Sequence, residues 1–260
     1  MRDEIYQRTV AGLRQVLDPG LTFETFVAGR SNEHAHAVAV AVADVPGGLH
    51  NPLWLHGGSG LGKTHLAQAI GHRVASRAGA ERVHACTAEN FFASLVRALQ
   101  SRSIEAFRAH VSTTLDLVIL DDVDFLRGRH RTVQELCQVF EAMAASGKQL
   151  VLCSSAPPQT IGELKSRFGR GSLARGSLVE VHPLDVPHML RVLERKARAS
   201  GLDLHPDVAR HIAGHVGNAR ELEGVLTRLS ALQDYYRKPI DMGFLDERME
   251  NLVSPTAAPE

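Results

Sequence analysis

The residues of this chain best suited to chemistry are Gly57-Gly58-Ser59-Gly60-Leu61-Gly62-Lys63-Thr64, with His65 directly after them. Their spacing is GxxxxGK[ST], with Gly57, Gly62, Lys63 and Thr64 on its fixed positions. Glycines let backbone N–H groups close around phosphate oxygens, because no Cβ obstructs the turn. Lys63 supplies a point charge toward β- and γ-phosphates, and the Thr64 hydroxyl is placed to ligate Mg²⁺. A second candidate is the carboxylate pair Asp121-Asp122, which ends the apolar run Leu115-Asp116-Leu117-Val118-Ile119-Leu120. Beside a phosphate loop, Asp121 would hold Mg²⁺ through its water shell and Asp122 would polarise an attacking water.

Three basic positions are candidates of a different kind. Asn218 and Glu221 form a capping box, which puts Arg220 in the first turn of a helix. A cation there opposes the helix dipole at a cost of about a few tenths of a kcal/mol. A bound phosphate would offset that cost; a surface arginine with a packed stem and a solvated head fits the residues equally well. Arg167 lies in the basic stretch Lys165-Ser166-Arg167-Phe168-Gly169-Arg170, which reads either as an arginine finger or as a solvated loop. Arg129-His130-Arg131 precedes the capping box Thr132/Glu135, and positive charge at a helix N-terminus attracts a nucleic-acid backbone. None of the 14 histidines shows metal-ligand spacing, so Mg²⁺ is the one metal expected.

The elements that must position these groups follow from periodicity. Leu53-Trp54-Leu55-His56 predicts a short strand running into the glycine loop, and a helix is expected from His65 to about Ala78, its positive end toward the phosphates. Arg82–Cys86 predicts a strand, with Thr87 capping a helix that carries Phe91, Phe92, Leu95, Val96 and Leu99. Near-continuous apolar runs at Leu115–Leu120 and Gln149–Cys153 are strands buried on both faces of a parallel sheet. Leu178–His182 is the last strand. Beyond it the pattern is helical: Val186–Ala199, Pro206–His215, Asn218–Tyr236 and about Met242–Asn251. The expected fold is therefore α/β: a parallel sheet flanked by helices, then a small all-α lid. The expected division is an N-terminal helical arm over 1–20, a nucleotide-binding α/β domain over 21–176, the lid over 177–251 and a disordered tail over 252–260.

Composition narrows the class. With 260 residues, 44% hydrophobic and 22% charged, the chain has the profile of an ordinary soluble globular protein. Its formal net charge is zero, so no global basic field draws it to nucleic acid, and any DNA contact must be a local patch. Cys86, Cys137 and Cys153 are odd in number, lack metal spacing and read as small core residues. No signal peptide or bilayer-length apolar run is visible, so no membrane partner and a cytoplasmic location are expected.

From about Leu21 to Asn251 the chain resembles the AAA+ (P-loop) module of the bacterial replication initiator DnaA and its truncated relative, the regulator Hda. Phe26-Val27-Ala28-Gly29-Arg30-Ser31-Asn32 is similar to the family's adenine-pocket box, and Gly57–Leu66 to its phosphate loop. Leu120-Asp121-Asp122-Val123-Asp124-Phe125-Leu126 resembles the second ATPase motif, Lys165–Phe168 the arginine-finger box, and Asn218–Gly224 the lid sensor. The resemblance implies ATP or ADP with Mg²⁺ as cofactor, Phe26, Val27, Asn32, His65 and Arg220 among the nucleotide contacts, and Arg167 as the finger. It also implies a single-stranded DNA path with Val96, Arg97, Arg129 and Arg131 as contacts.

The departures from the family pattern carry expectations too. The first sensor, usually Asp after the fourth strand, is Ser155, which argues against rapid unaided hydrolysis. Glu163 and Leu164 stand where an Arg is expected before the finger box. Neither the initiator's helix-turn-helix domain nor its helicase-interaction domain is found, so origin-box recognition is not expected. Gln15-Val16-Leu17-Asp18-Pro19 is a faint likeness to a sliding-clamp motif. The reading is a DnaA/Hda-like regulator or accessory factor of replication initiation that associates head-to-tail with a DnaA-family initiator or with itself, as a weak or partner-stimulated ATPase. Two other readings stay open: an ATP-dependent single-stranded-DNA-binding or helicase-loading protein, and a nucleotide-locked adaptor without turnover.

Overall fold

The computed structural model describes residues 17–161, 164, 176–236 and 240–246. Most of the expected N-terminal arm, most of the basic stretch before Ser177 and the expected tail lie outside the described residues. Two compact units emerge. The first holds residues up to Phe26, Glu33–Gly58 and Gly62–Val181; the second holds Val27–Asn32, Ser59–Leu61 and the chain from His182 onward.

The first unit is built on five parallel strands: β1 (Leu53–His56), β2 (Val83–Thr87), β3 (Leu117–Asp121), β4 (Gln149–Ser154) and β5 (Ser177–Glu180), in the spatial order β2-β3-β4-β1-β5. Register is set by pairs such as Val83↔Leu117, Leu117↔Gln149, Leu53↔Val151 and Leu53↔Ser177. Parallel strands need helical crossovers, supplied by α1 (Glu33–Asp44), α2 (Lys63–Ala78), α3 (Ala88–Gln100), α4 (Ile104–Thr113) and α5 (His130–Ala145). Alternation along the strands sends side chains to two faces. On one, Trp54, Val118, Leu120, Leu150 and Leu152 pack with Phe91, Phe107, Phe140 and Met143 from α3, α4 and α5. Each fully buried aromatic there contributes on the order of 2–3 kcal/mol. On the other, Ile119 lies against α2, where a Cβ added at Gly71 would come within 3.1 Å of its Cδ1.

Some boundaries differ from those read off the sequence, each for a physical reason. β3 starts at Leu117, while Asp116 just before it still bonds both flanking strand segments through its backbone, N to Arg82 O at 2.8 Å and O from Gln149 N at 2.9 Å, and binds cations with its side chain. α5 begins at His130 and has no side-chain cap. Thr132 therefore falls inside the first turn, and the Glu135 carboxylate accepts from Arg108 Nη2 at 2.6 Å instead of closing a capping box. The sheet unit continues past residue 176, since β5 pairs with β1 along its length and Val181 N donates to His56 O at 2.7 Å. Thr87 does cap α3, its hydroxyl accepting from Asn90 N at 3.2 Å.

In the second unit, α6 (Val186–Ala199), α7 (Pro206–His215), α8 (Ala219–Tyr236) and α9 (Met242–Asp246) enclose Met189, Leu193, Val208, Ile212, Leu222, Leu226 and Leu229. Asp185 caps α6, accepting from His188 N at 2.8 Å. Among the described residues no helix is long and apolar enough to cross a membrane. All three cysteines are free and buried.

Candidate functional site

Because all five strands run the same way, the segments leaving β1, β3 and β4 emerge at one rim of the sheet, where open α/β folds take ligands. Gly57 leaves β1 with φ +143°, and a Cβ there would sit 2.3 Å from Val181 O. Gly62 caps α2 at φ +101°, a left-handed position, with its missing Cβ 3.1 Å from the Phe26 ring. Between them the loop turns over the N-terminus of α2, whose dipole favours an anion. Lys63 Nζ donates to Gly57 O at 2.8 Å and Gly58 O at 2.6 Å, which fixes its charge on the loop.

Thr64 and Asp121 meet. The Thr64 hydroxyl donates to Asp121 Oδ2 at 2.6 Å, and Asp122 N donates to Asp121 Oδ1 at 2.9 Å. Among the described residues no group of three or more His, Cys, Asp or Glu is set to hold a metal. A hydroxyl with one carboxylate is nonetheless the hard-oxygen set that suits Mg²⁺, which takes few protein ligands and completes its shell with water and phosphate. Asp122 is exposed and sits at φ 54°, ψ 45°, left-handed for a residue that is not glycine. Cys153 lies beneath this rim, its Sγ 3.8 Å from Lys63 O; burial first, and the Asp121 carboxylate second, push its thiol well above the usual range.

Ser155 follows β4, exposed, and its backbone N–H donates to Asp124 Oδ2 at 2.5 Å. Asp124 also accepts from Arg127 Nη2 at 2.7 Å. Sequence reading passed Asp124 over, although its place three residues after Asp121 in the second motif was a signal for it. Phe26 and His65 are brought together edge to face, ring centroids 5.1 Å apart, while His36 stacks on Phe26 at 5.6 Å. Burial, then Arg73, lowers the pKa of His36, so the stacked ring is neutral near pH 7. His65 Nε2 is 2.8 Å from Thr22 O.

In the second unit the capping box is present with one change: Asn218 Oδ1 accepts from Arg220 N and Glu221 N, both at 3.0 Å, while Glu221 reaches back to Gly217 N at 2.8 Å. Arg220 thus stands in the first turn of α8, and its Nη1 donates to Ser59 Oγ at 2.8 Å. Ala219 N donates to Gly60 O at 3.1 Å. Leu61 is buried, and Val27 packs on the helical core. Asn32 is buried inside its own turn, with Nδ2 on Val27 O at 3.2 Å.

Of the DNA candidates, Val96 and Arg97 lie on α3, where Arg97 folds onto Ala93 O and Ser94 Oγ. Arg129 donates to Phe125 O and lies 3.8 Å above the Phe125 ring, with Phe92 of α3 at 5.8 Å. The Arg131 side chain and all of Arg167 lie outside the described residues.

The family model for the bacterial DnaA ATPase domain matches residues 17–179. The chain belongs to the DnaA family. It is 37% identical over 238 residues to the chromosomal replication initiator protein DnaA of Magnetococcus marinus, covering 91% of this chain and 53% of that protein. The chain spans about half the length of the curated relatives it matches. Domain III of the Thermotoga maritima replication initiation protein DnaA superposes with a TM-score of 0.83 at 31% identity, over 93% of this chain and all of that one. A replication initiator DnaA bound to AMPPCP and single-stranded DNA superposes at 0.73 with 31% identity, over 86% of this chain and 70% of that one. The fold is thus an AAA+ nucleotide-binding module, as the motifs imply, homologous to the replication initiator.

Proposed function

We propose that this chain binds ATP or ADP with Mg²⁺ and acts as a nucleotide-dependent regulator or accessory factor of replication initiation. The observation that carries the reading is the 2.6 Å contact of Thr64 with Asp121 beside a lysine held on a glycine loop. Lys63 would exchange the carbonyls of Gly57 and Gly58 for phosphate oxygens, a charge-assisted and therefore stronger pairing. Gly57 to Gly62 would turn backbone N–H groups to the phosphates, with Ser59 and Leu61 in the same loop. Thr64 and Asp121 would hold Mg²⁺, which supplies charge neutralisation between β- and γ-phosphates when bound. Asp122 would orient the water, and Arg220 would reach a phosphate in place of the Ser59 hydroxyl. Phe26, Val27, Asn32 and His65 form the base side of the reading.

Ser155 offers a hydroxyl where the family carries a carboxylate, so slow unaided turnover is the expected regime, with Arg167 completing a neighbour's site in a head-to-tail pair. The neighbour is a DnaA-family initiator or a second copy of the chain; the sliding clamp is a further candidate partner. The test is titration of the chain with ATP and ADP, with and without Mg²⁺, followed by ATPase assays alone and with the cell's own DnaA. Binding plus stimulated turnover supports the regulator; retained nucleotide without turnover in either mixture replaces it with the locked adaptor; absence of binding removes the reading. The single-stranded DNA reading draws support from the relative bound to AMPPCP and single-stranded DNA. Against it, Arg129 is engaged by Phe125. Salt-dependent, ATP-dependent binding of an oligonucleotide that falls in an Arg129→Ala, Arg131→Ala variant is the result that would establish it.

A further inference from the structure

The exit of β4 is pinned residue by residue. The β3–β4 ladder closes at Leu120↔Leu152 and the β1–β4 ladder at His56↔Ser154, so both have ended by Ser155. Side chains take over from there. The Trp54 indole Nε1 donates to Ser154 Oγ at 2.7 Å, and the Ser154 hydroxyl donates to Ala156 O. Between those two residues, the Ser155 N–H donates to Asp124 Oδ2 at 2.5 Å. Asp124 belongs to the short turn Val123–Leu126 that follows β3, and its Oδ1 accepts from Arg127 Nη2 at 2.7 Å. Arg127 Nη2 also lies 3.4 Å from Thr160 Oγ1, which donates to Pro157 O at 2.9 Å, so the same ion pair holds the far end of the segment.

The outcome is one exposed side chain on a fixed backbone: Ser154 is 2% exposed, whereas Ser155 beside it is open to solvent. Its place in the sheet gives this weight. β4 runs between β1, which feeds the phosphate loop, and β3, which ends in Asp121. Cys153, two residues before Ser155, has its Sγ 3.8 Å from Lys63 O. Stability alone does not call for a carboxylate here. Water satisfies a backbone N–H at an exposed strand exit, and an ion pair as open as Asp124–Arg127, with side chains 27% and 48% exposed, adds little. What a charge-assisted bond to the Ser155 N–H adds is direction.

We propose that Asp124 is a positioning residue for nucleotide turnover: it holds the backbone of Ser155 so that the hydroxyl at the exit of β4 is presented at the rim that carries Asp121 and Asp122. The proposal rests on the reading of the chain as an ATP binder with slow or stimulated hydrolysis. ATP binding itself resides in other side chains, Lys63, Thr64 and Asp121, so losing Asp124 separates turnover from affinity. The readout is a pair of measurements on the full chain with ATP and Mg²⁺: calorimetric affinity, and single-turnover hydrolysis alone and with the cell's own DnaA.

In Asp124→Ala, turnover falls about 10-fold while ATP affinity stays within about twofold, as expected when a group acting on the reaction is displaced and the binding groups are not. Asp124→Asn, whose amide oxygen still accepts from the Ser155 N–H, recovers most of the turnover. In a Ser155→Ala background the step to Asp124→Ala costs almost nothing further, because the two residues act through one side chain. Additive losses in that cycle, unchanged turnover in Asp124→Ala, or a loss of affinity as large as the loss of turnover each overturn the proposal. Should Asp124→Ala not fold, as judged by its thermal transition, the same cycle with Arg127→Ala decides: a loss of about threefold that vanishes in the Ser155→Ala background supports it, and no loss or an additive one overturns it. Wild-type chain that binds no ATP overturns the nucleotide reading itself, and this proposal with it. Wild type that binds ATP but turns it over neither alone nor with DnaA overturns this proposal and leaves the binding reading in place.

Discussion

β3 carries an aspartate at each end, and the two are treated in opposite ways. Asp116, just before the strand, takes Arg82 on both oxygens and Lys148 Nζ at 2.9 Å. Those hydrogen bonds, Arg82 first, hold its carboxyl at a pKa of about 2. Asp121, at the other end, receives a hydroxyl and a backbone N–H. The first carboxylate is neutralised by the fold and has nothing left to offer a ligand. The second is oriented by two neutral donors. On the proposed reading the Asp121 rim serves the nucleotide while the Asp116 rim serves stability, so substitutions at the two rims should separate in what they damage.

The sharpest separation comes from Lys63→Ala. ATP affinity is expected to fall about 100-fold, the loss of a charge-assisted phosphate contact at close range. The thermal midpoint without nucleotide should hold, because among the described residues the Lys63 ammonium bonds carbonyls of its own loop. Unchanged ATP affinity in calorimetry would sink the assignment of the loop. Asp121→Asn comes next. It keeps the shape but halves the hard-oxygen character, so Mg²⁺-dependent ATP binding should weaken about 10-fold. Binding in EDTA should move little. An equal loss with and without Mg²⁺ would place Asp121 with Asp116 as a structural carboxylate.

Asp116→Asn tests the opposite rim. The expected cost is about 1 kcal/mol in urea unfolding near neutral pH, with ATP affinity unchanged, since two cations lose their partner at a half-exposed site. The folded pKa of about 2 lies below the ordinary 3.8, so the contribution is fully present above that value and is lost as pH falls toward 2. The gap between wild type and variant should therefore close between about pH 4 and pH 2. A gap that stays constant over that window would show that the pair is not what stabilises the end of the strand.

Much of this division was legible in the sequence, because its signals are local. The apolar runs placed β3 and β4, and the spacing from Gly57 to Thr64 placed the phosphate loop. α6 and α7 begin and end at the expected residues, Val186–Ala199 and Pro206–His215, each with a proline in its first turn. What escaped reading depends on residues far apart in the chain. Glu135 was expected to cap its own helix, but Arg108, 27 residues away, takes its carboxylate. Asp124 meets Ser155 from 31 residues away, and His188 meets Ser31 from 157. No period or spacing encodes those distances; only the folded sheet and the returning helix bring the partners together. The same holds for Arg129, whose charge suggested a free contact for a phosphate backbone, whereas Phe125 and Phe92 supply rings for its guanidinium.

Asp122 gives the smallest effect on stability and the most direct test of the contrast. It lies one residue beyond Asp121, at φ 54°, where an L-residue is strained and glycine is not. On the proposed reading, that strain is kept because the carboxylate is needed where it stands. Asp122→Gly should therefore leave the fold more stable by about 0.5 kcal/mol, the part of the left-handed cost that an aspartate does not recover locally. The same variant should bind ATP as before and lose nucleotide turnover, whether basal or partner-stimulated. Asp122→Asn, which also tolerates the left-handed region, should show the same loss of turnover without the gain in stability. If Asp122→Gly instead lowers stability and spares turnover, the residue belongs with Asp116, and the second rim is less specialised than its hydrogen bonds indicate.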